Sequence, residues 1–258
     1  SLDAMGGDDA PLVVVEGAET ALKNNPDLEL ILVGDEKRIR PLLNKTRLLK
    51  KSARIIHTPD AVDPAAKASQ ALRAGKKTSM WKAIELVNIG DADAIVSAGN
   101  TGALMAMSKL QLRMIEGVTR PAIATFVPTQ NGRSCVLDLG ANLECDEHNL
   151  VQFAIMGSAF SRFLLNIENP TVGLLNVGEE DQKGFDYLRI AAQTLSRDDM
   201  PVNYVGFVEG SDFSNGTVDV IVTDGFTGNI ALKTAEGVAQ LIRTFLRRAF
   251  AANLFTKV

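Results

Sequence analysis

The chain has 258 residues, of which 46% are hydrophobic and 22% charged, and a formal net charge of −4. That is globular composition, and the negative balance argues against a nucleic-acid binder, which is normally basic. Two cysteines, Cys135 and Cys145, give neither a disulfide framework nor a metal-ligand cluster and fit a reducing cytoplasm, and no apolar run reaches the about 18 residues of a membrane span.

The chain opens at Ser1 inside an apparent strand, with no signal-peptide pattern, and stops after a basic, apolar helix, so it reads as a piece of a longer chain. Helical spacing over 11–24 precedes an apolar strand over 28–33. A helix over 36–50 and a strand over 54–58 follow. Next come a helix at 79–89, a strand at 94–97 and a helix at 101–114. Strands at 122–127 and 134–139 are joined by Gln130-Asn131-Gly132, and Asn-Gly there predicts a hairpin. The rest alternates: helix 147–165, strand 172–177, helix 182–196, strands 202–205 and 218–223, helix 226–250. Many strands are near-continuous apolar runs, which suggests burial on both faces of a parallel sheet. The pattern predicts an α/β fold, a three-layer α/β/α sandwich with a largely parallel mixed sheet, in one domain over 1–258.

Ligands of open α/β sheets sit beyond the carboxyl ends of the strands. Five such ends carry small and amide residues: 5–8, 97–102, 138–142, 176–180 and 224–229. One glycine at a strand end is an ordinary turn residue, but five loops sharing Asn and Thr point to a functional rim. Two of them echo each other, VSAGNTG (96–102) and VTDGFTGN (222–229). Each reads as strand, glycine turn and helix start, a junction that aims backbone N–H groups at an anion.

Nucleotide motifs fail. No GxGxxG follows a strand, and AGKKTS (74–79) matches only the end of a P-loop, because Gln70 stands where its first glycine belongs. Thr78 or Ser79 reads there as a helix N-cap. No GxSxG elbow exists, and neither His57 nor His148 has an evident serine partner. Cys135 lies in an apolar strand and Cys145 lacks a basic neighbour to lower its pKa. Asp3, Asp8, Asp138, Asp224, Glu179 and Glu180 lie near the rim. They could hold Mg²⁺, cap helices or orient amides, and no ligand set stands out. Lys183, between a strand end and a helix, could neutralise a phosphate, polarise a carbonyl, or sit at the surface. Lys233 lies one turn inside the last helix.

Six motifs in order, LDAMGGD (2–8), SAGNTGALM (97–105), LDLGAN (137–142), LVQFAIMGS (150–158), NVGEE followed by KG (176–184) and DGFTGN followed by LKT (224–234), resemble the bacterial phosphate acyltransferase family of phospholipid synthesis. The likeness covers almost the whole chain. Asp9 stands where the family often has His, Trp81 where a basic residue often follows Ser-Met, and Leu143-Glu144 where Val-Asp is usual.

The resemblance implies transfer of a fatty acyl group from acyl carrier protein to inorganic phosphate, without a cofactor. It implies a cytoplasmic homodimer with peripheral membrane contact, and a fold related to isocitrate and isopropylmalate dehydrogenases and to phosphotransacetylases. It also frames the site. Amides of Gly99, Asn100, Thr101 and Gly102, with the Asn100 and Thr101 side chains, are expected to cradle phosphate. Gly6, Gly7, Asn142 and Gly228 complete the rim, with Asp8, Ser97, Glu179, Asp224 and Thr227 also on the substrate. Lys183 neutralises phosphate or the oxyanion, and Asn229 donates to it. A thioester is already activated and phosphate is a competent nucleophile, so a missing triad is expected. For an acidic carrier, the basic run Lys37, Arg38, Arg40, Lys45, Arg47, Lys50, Lys51 and Arg54 is one docking candidate. The last helix is another, with Arg243, Arg247 and Arg248 beside Leu241, Ile242, Phe245, Leu246, Phe250 and Leu254. An acyl-CoA-dependent phosphate acetyltransferase, a nicotinamide-dependent dehydrogenase and a silent carrier-binding scaffold are the rival readings.

Overall fold

A computed structural model describes residues 1–251. The chain divides into two compact units, Ser1–Glu116 and a second beginning at Gly117. Leu254 lies outside the described residues.

The first unit runs β1 (Leu2–Asp3), α1 (Leu12–Asn24), β2 (Leu30–Gly34), α2 (Glu36–Leu43), α3 (Leu49–Ser52), β3 (Ala53–His57), α4 (Ala68–Ala74), a 3₁₀ turn (Gly75–Lys77), α5 (Ser79–Asn88) and α6 (Thr101–Leu112). Its sheet has the order β1-β2-β3, all parallel, with Leu2 beside Leu32 and Leu32 beside Ile55. Alternate β2 residues serve opposite faces. Leu32 packs with Val15, Ala18 and Leu22 of α1 and with Ile39 and Leu43 of α2. Ile31 and Val33 pack with Ala83 and Leu86 of α5.

The second unit runs β4 (Ala124–Thr129), β5 (Gly132–Leu137), α7 (Glu147–Leu165), β6 (Thr171–Leu175), α8 (Asp186–Leu195), β7 (Asn203–Val208), α9 (Asp212–Asn215), β8 (Val220–Val222) and α10 (Gly225–Ala251). Strand order is β4-β5-β8-β6-β7. The β4–β5 hairpin is antiparallel, with Thr129 opposite Gly132, and the remaining pairs are parallel. Cys135, Leu137, Val172, Leu174, Val220 and Val222 meet Leu150, Phe153 and Ala154 of α7 and Leu188 of α8 on one face. Val136, Leu175 and Ile221 meet Phe213 and Leu232 on the other. Both units therefore place helices on both faces of a parallel-dominated sheet. Truncating Phe153 to Ala would cost about 3–5 kcal/mol, as for other fully buried aromatics.

Helix α7 matches its expected bounds because its signals are local. Asp146 accepts from Asn149 N at 2.8 Å while Asn149 Oδ1 accepts from Asp146 N, and Asn166 closes the helix in the left-handed region. The helix expected over 36–50 breaks into α2 and α3. The Glu19 carboxylate of α1 accepts from Arg47, Leu48 and Leu49 N, capping α3 from afar and holding its own pKa below the usual range. The strand expected over 94–97 reduces to one bridge, Leu2 to Val96, because β1 offers only Leu2–Asp3 as partner. The helix expected from 182 starts at Asp186, after Gly184 turns at φ +84°. Among the described residues no helix is long and apolar enough to cross a membrane. Helix α10 nevertheless leaves Ile230, Val238, Leu241, Ile242, Phe245, Leu246 and Phe250 exposed.

Candidate functional site

In the first unit, two glycine loops lie side by side at the carboxyl end of β1. Asp3 is 2% exposed. It accepts from Ser79 Oγ at 2.5 Å, Ser97 Oγ at 2.7 Å and Met5 N at 3.3 Å. Ser97 Oγ in turn accepts from Gly99 N at 3.1 Å. Gly6 is pressed into this knot: a Cβ there would stand 2.6 Å from Asp3 Oδ2 and 2.8 Å from Gly99 N. Gly7 lies against Ala98, and Asp8 faces solvent.

Asn100 is the N-cap of α6. Its Oδ1 accepts from Ala103 N at 2.9 Å, and its Nδ2 donates to the Pro64 and Ala66 carbonyls, each at 2.9 Å. The Asn100 side chain is thus spent on the loop, as is the Gly99 amide. The amides of Asn100, Thr101 and Gly102 have no acceptor among the described residues. Three consecutive open N–H groups at the positive end of a 12-residue helix present donors to which an anion could bind through backbone alone. Thr101 and Gly102 are exposed there.

In the second unit, three adjacent parallel strands, β5, β8 and β6, end in the loop 138–142, in the short link into α10 with its first turn over 224–229, and in the loop 176–184. Asp138, fully buried, accepts from the amides of Ile123, Gly140, Ala141 and Asn142 and from Asn142 Nδ2. The Asn142 carbonyl takes Gly225 N at 2.8 Å, and Asn142 Nδ2 also reaches the Pro121 carbonyl at 2.7 Å. Gly228 passes so close to the Asp138 carbonyl that a Cβ would collide with it. Asn229, exposed, lies over Gly140.

Asp224 caps α10. Its carboxylate accepts from Thr227 N and Thr227 Oγ1, each at 2.8 Å, and stands 3.5 Å from Tyr187 Oη. Burial and then the Asp224 charge push the Tyr187 phenol up to about 12. Burial, aided by the Asp138 and Asp224 charges, pushes the Cys145 thiol up to about 11, so it is not a thiolate nucleophile at neutral pH. Lys183 Nζ pairs with Glu180 Oε2 at 2.7 Å, and both stay near half exposed. The Glu180 hydrogen bond raises the lysine and lowers the carboxyl, so Lys183 is a standing cation. Glu179 is exposed. Thr78, from the P-loop-like stretch, is the N-cap of α5, accepting from Trp81 N. Among the described residues no cluster of three His, Cys, Asp or Glu is placed to hold a metal ion.

The expected residues therefore gather as two sets, one in each unit. The organisers Asp3 and Asp138 were visible in sequence as rim carboxylates, and Ser97 and Asn142 as rim residues, but the bonds that join them were not. Tyr187 carried no local signal at all.

The layered fold with glycine-rich strand ends defines an α/β protein of the phosphotransacylase fold. A phosphotransacetylase, EutD, from Staphylococcus aureus shares it with a TM-score of 0.62 at 21% identity, over 87% of this chain and 78% of its own. A branched-chain phosphotransacylase from Enterococcus faecalis matches with a TM-score of 0.57 at 14% identity, over 92% of this chain and 83% of its own. The chain belongs to the family described as fatty acid synthesis protein, which matches residues 1–258. Among its relatives, a phosphate acyltransferase of Rhodospirillum centenum is 57% identical over 100% of this chain and 73% of that protein. Another, from Rhodospirillum rubrum, is 54% identical over 100% of this chain and 74% of that protein.

Proposed function

We propose that this chain is an acyltransferase that moves a fatty acyl group from acyl carrier protein to inorganic phosphate, releasing an acyl phosphate for phospholipid synthesis. The observation that carries the reading is the 57% identity, across the full chain, to a relative named phosphate acyltransferase. The open amides of Asn100, Thr101 and Gly102 support it, since they suit a free, fully charged oxyanion.

In this mechanism a phosphate oxygen attacks the thioester carbon, a C–O bond forms, and the tetrahedral intermediate expels the thiolate as the C–S bond breaks. The thiolate then takes up a proton. No protein nucleophile is needed, because positioning and preorganised donors supply the barrier reduction. The amides of 100–102, with Gly6, Gly7, Asp8 and Thr101, serve the phosphate. Ser97 acts through the Gly99 turn. Lys183 exchanges Glu180 for the substrate anion or the oxyanion, and Asn229 donates to it. Asn142, Gly228, Thr227, Asp224 and Glu179 shape the donor's side of the reaction. The enzyme works as a cytoplasmic homodimer that touches the membrane through exposed apolar residues of α10, and residues 1–258 act together as one catalytic domain.

Incubating the purified protein with phosphate and either palmitoyl-carrier protein or acetyl-CoA, and trapping acyl phosphate with hydroxylamine, tests the reading. Phosphate-dependent hydroxamate from the carrier thioester is expected. Product from acetyl-CoA alone would favour the coenzyme A alternative suggested by the phosphotransacetylase neighbour, and no product from either would end the proposal.

A further inference from the structure

Asp3, 2% exposed, offers no free surface to a substrate, yet it ties together the end of β1, α5 and the loop before α6. Its two oxygens take the Ser79 and Ser97 hydroxyls, which come from α5 and from the loop before α6. A carboxylate only accepts, so both hydroxyl protons must point at Asp3. With its proton committed, Ser97 Oγ is left to accept, and it takes Gly99 N. The relay therefore has one direction: Gly99 N–H to Ser97 O–H to Asp3. It turns the Gly99 amide inward and starts the turn that leaves the amides of Asn100, Thr101 and Gly102 open. Gly6 fills the remaining space, so the knot has no slack.

We propose that Asp3 is a positioning residue for phosphate, acting through Ser97 and Gly99 to fix the orientation of the open amides at 100–102. This rests on the reading of that turn as the phosphate cradle.

Asp3→Asn is nearly isosteric but places an NH₂ where one oxygen stood. Whichever way the amide faces, one serine hydroxyl loses its acceptor. If it faces Ser97, it competes with Gly99 N for the same oxygen. Ser97→Ala breaks the relay at its middle and leaves Asp3 in place. Steady-state kinetics with palmitoyl-carrier protein and phosphate should show KM for phosphate rising about 10- to 100-fold in Asp3→Asn, the range for hydrogen bonds to charged groups. KM for the acyl donor should stay within about two-fold. Ser97→Ala should shift phosphate KM in the same direction, and the double variant should be no worse than the poorer single one, as expected for one coupled relay.

A merely structural aspartate would instead lower the melting temperature and the active fraction while leaving phosphate KM unchanged, and that result overturns the proposal. If Asp3→Asn fails to fold, an unchanged phosphate KM in Ser97→Ala overturns it equally. Phosphate-induced thermal stabilisation supplies a readout without turnover. Stabilisation of the parent that is lost in both variants, with no acyl phosphate formed by the parent, would sink the acyltransferase reading and keep Asp3. Acyl phosphate formation with normal phosphate KM in both variants would do the reverse. A parent that neither binds phosphate nor turns over would end both.

Discussion

The two strand–turn–helix junctions spelled SAGNTG and TDGFTG look like copies, and they cap their helices two residues apart. In the first unit the cap is neutral Asn100 and α6 begins at Thr101. In the second the cap is Asp224 and α10 begins at Gly225. The consequence is chemical. At the first junction three successive amides stay open. At the second, Gly225 N goes to the Asn142 carbonyl, Thr227 N to the cap carboxylate and Gly228 N to the Asp224 carbonyl, so among the described residues the open amides, Asp224 N and Phe226 N, are not consecutive. A carboxylate also sits where an anion would have to approach. One string of small residues thus leaves three successive donors open in one place and a largely self-bonded helix start in the other. Shared letters reported shared backbone shape and did not report shared ligand chemistry.

The comparison breaks most sharply if the first junction is given the second one's cap. Aspartate caps helices about as well as asparagine, so Asn100→Asp keeps the bond from Ala103 N. It loses the two donations to Pro64 and Ala66 and adds a negative charge beside the open amides. Like charges at about 4 Å, at an effective dielectric near 20, repel by about 4 kcal/mol, which is about a thousand-fold in affinity. We expect kcat/KM for phosphate to fall by roughly that factor while the far-ultraviolet circular dichroism stays native. An unchanged kcat/KM would show that the anion does not rest at this turn.

The second unit is expected to serve the reaction through Lys183, the cation of the loop after β6. Lys183→Ala should lower kcat about 100-fold, the scale of losing one preorganised donor to a developing oxyanion. Glu180→Gln should keep the lysine and remove its competitor, so kcat should hold or rise as phosphate or acyl donor no longer has to displace the pair. Single-turnover rates of thiol release separate these outcomes, and a Lys183→Ala enzyme within about three-fold of the parent would remove the lysine from the mechanism.

What was legible in the sequence was what neighbours in sequence decide. The capping box of α7, the Gln130-Asn131 hairpin and the two-faced burial of β2 and β5 all follow from local pattern. The glycine loops were also readable, since small residues at strand ends signal close backbone approach. What failed depended on groups far along the chain. Glu19 splits a continuous basic helix by capping it across about 30 residues. Asp3 reaches Ser79 and Ser97. The short partner β1 leaves Val96 only a bridge. The Asn100 side chain reads as a ligand in the motif, and in the fold it is bound to Pro64 and Ala66.

A smaller effect, on stability, sharpens the contrast between the two motif glycines. Gly228 faces the Asp138 carbonyl at collision distance, whereas a Cβ on Gly102 would find Asn100 Oδ1 at 3.5 Å and Ala68 Cβ at 3.8 Å, ordinary contacts. Gly228→Ala should therefore cost about 1–3 kcal/mol through overpacking. Gly102→Ala, in the first turn of α6, should be neutral or stabilise by up to about 1 kcal/mol. Urea denaturation of the two variants reads the difference directly, and equal losses would mean that both junctions are packed alike.

The smallest expected effect is the most diagnostic of cause. Asp224→Asn removes the second junction's charge and leaves Oδ1 to cap Thr227 N. If charge alone kept phosphate away, this variant would gain a second anion site. The amides say otherwise, because Gly225 N is held by Asn142 and Gly228 N by the Asp224 backbone carbonyl, neither of which the substitution touches. Phosphate KM should therefore stay within about three-fold of the parent, and titration should show no added phosphate stoichiometry. The phenol of Tyr187, held up near about 12 first by burial and second by the Asp224 charge, should titrate at lower pH once that charge is gone. A fall in the phenol's pKa with unchanged phosphate binding would place the difference between the junctions in where the helix begins and would leave the sign of its cap a secondary matter.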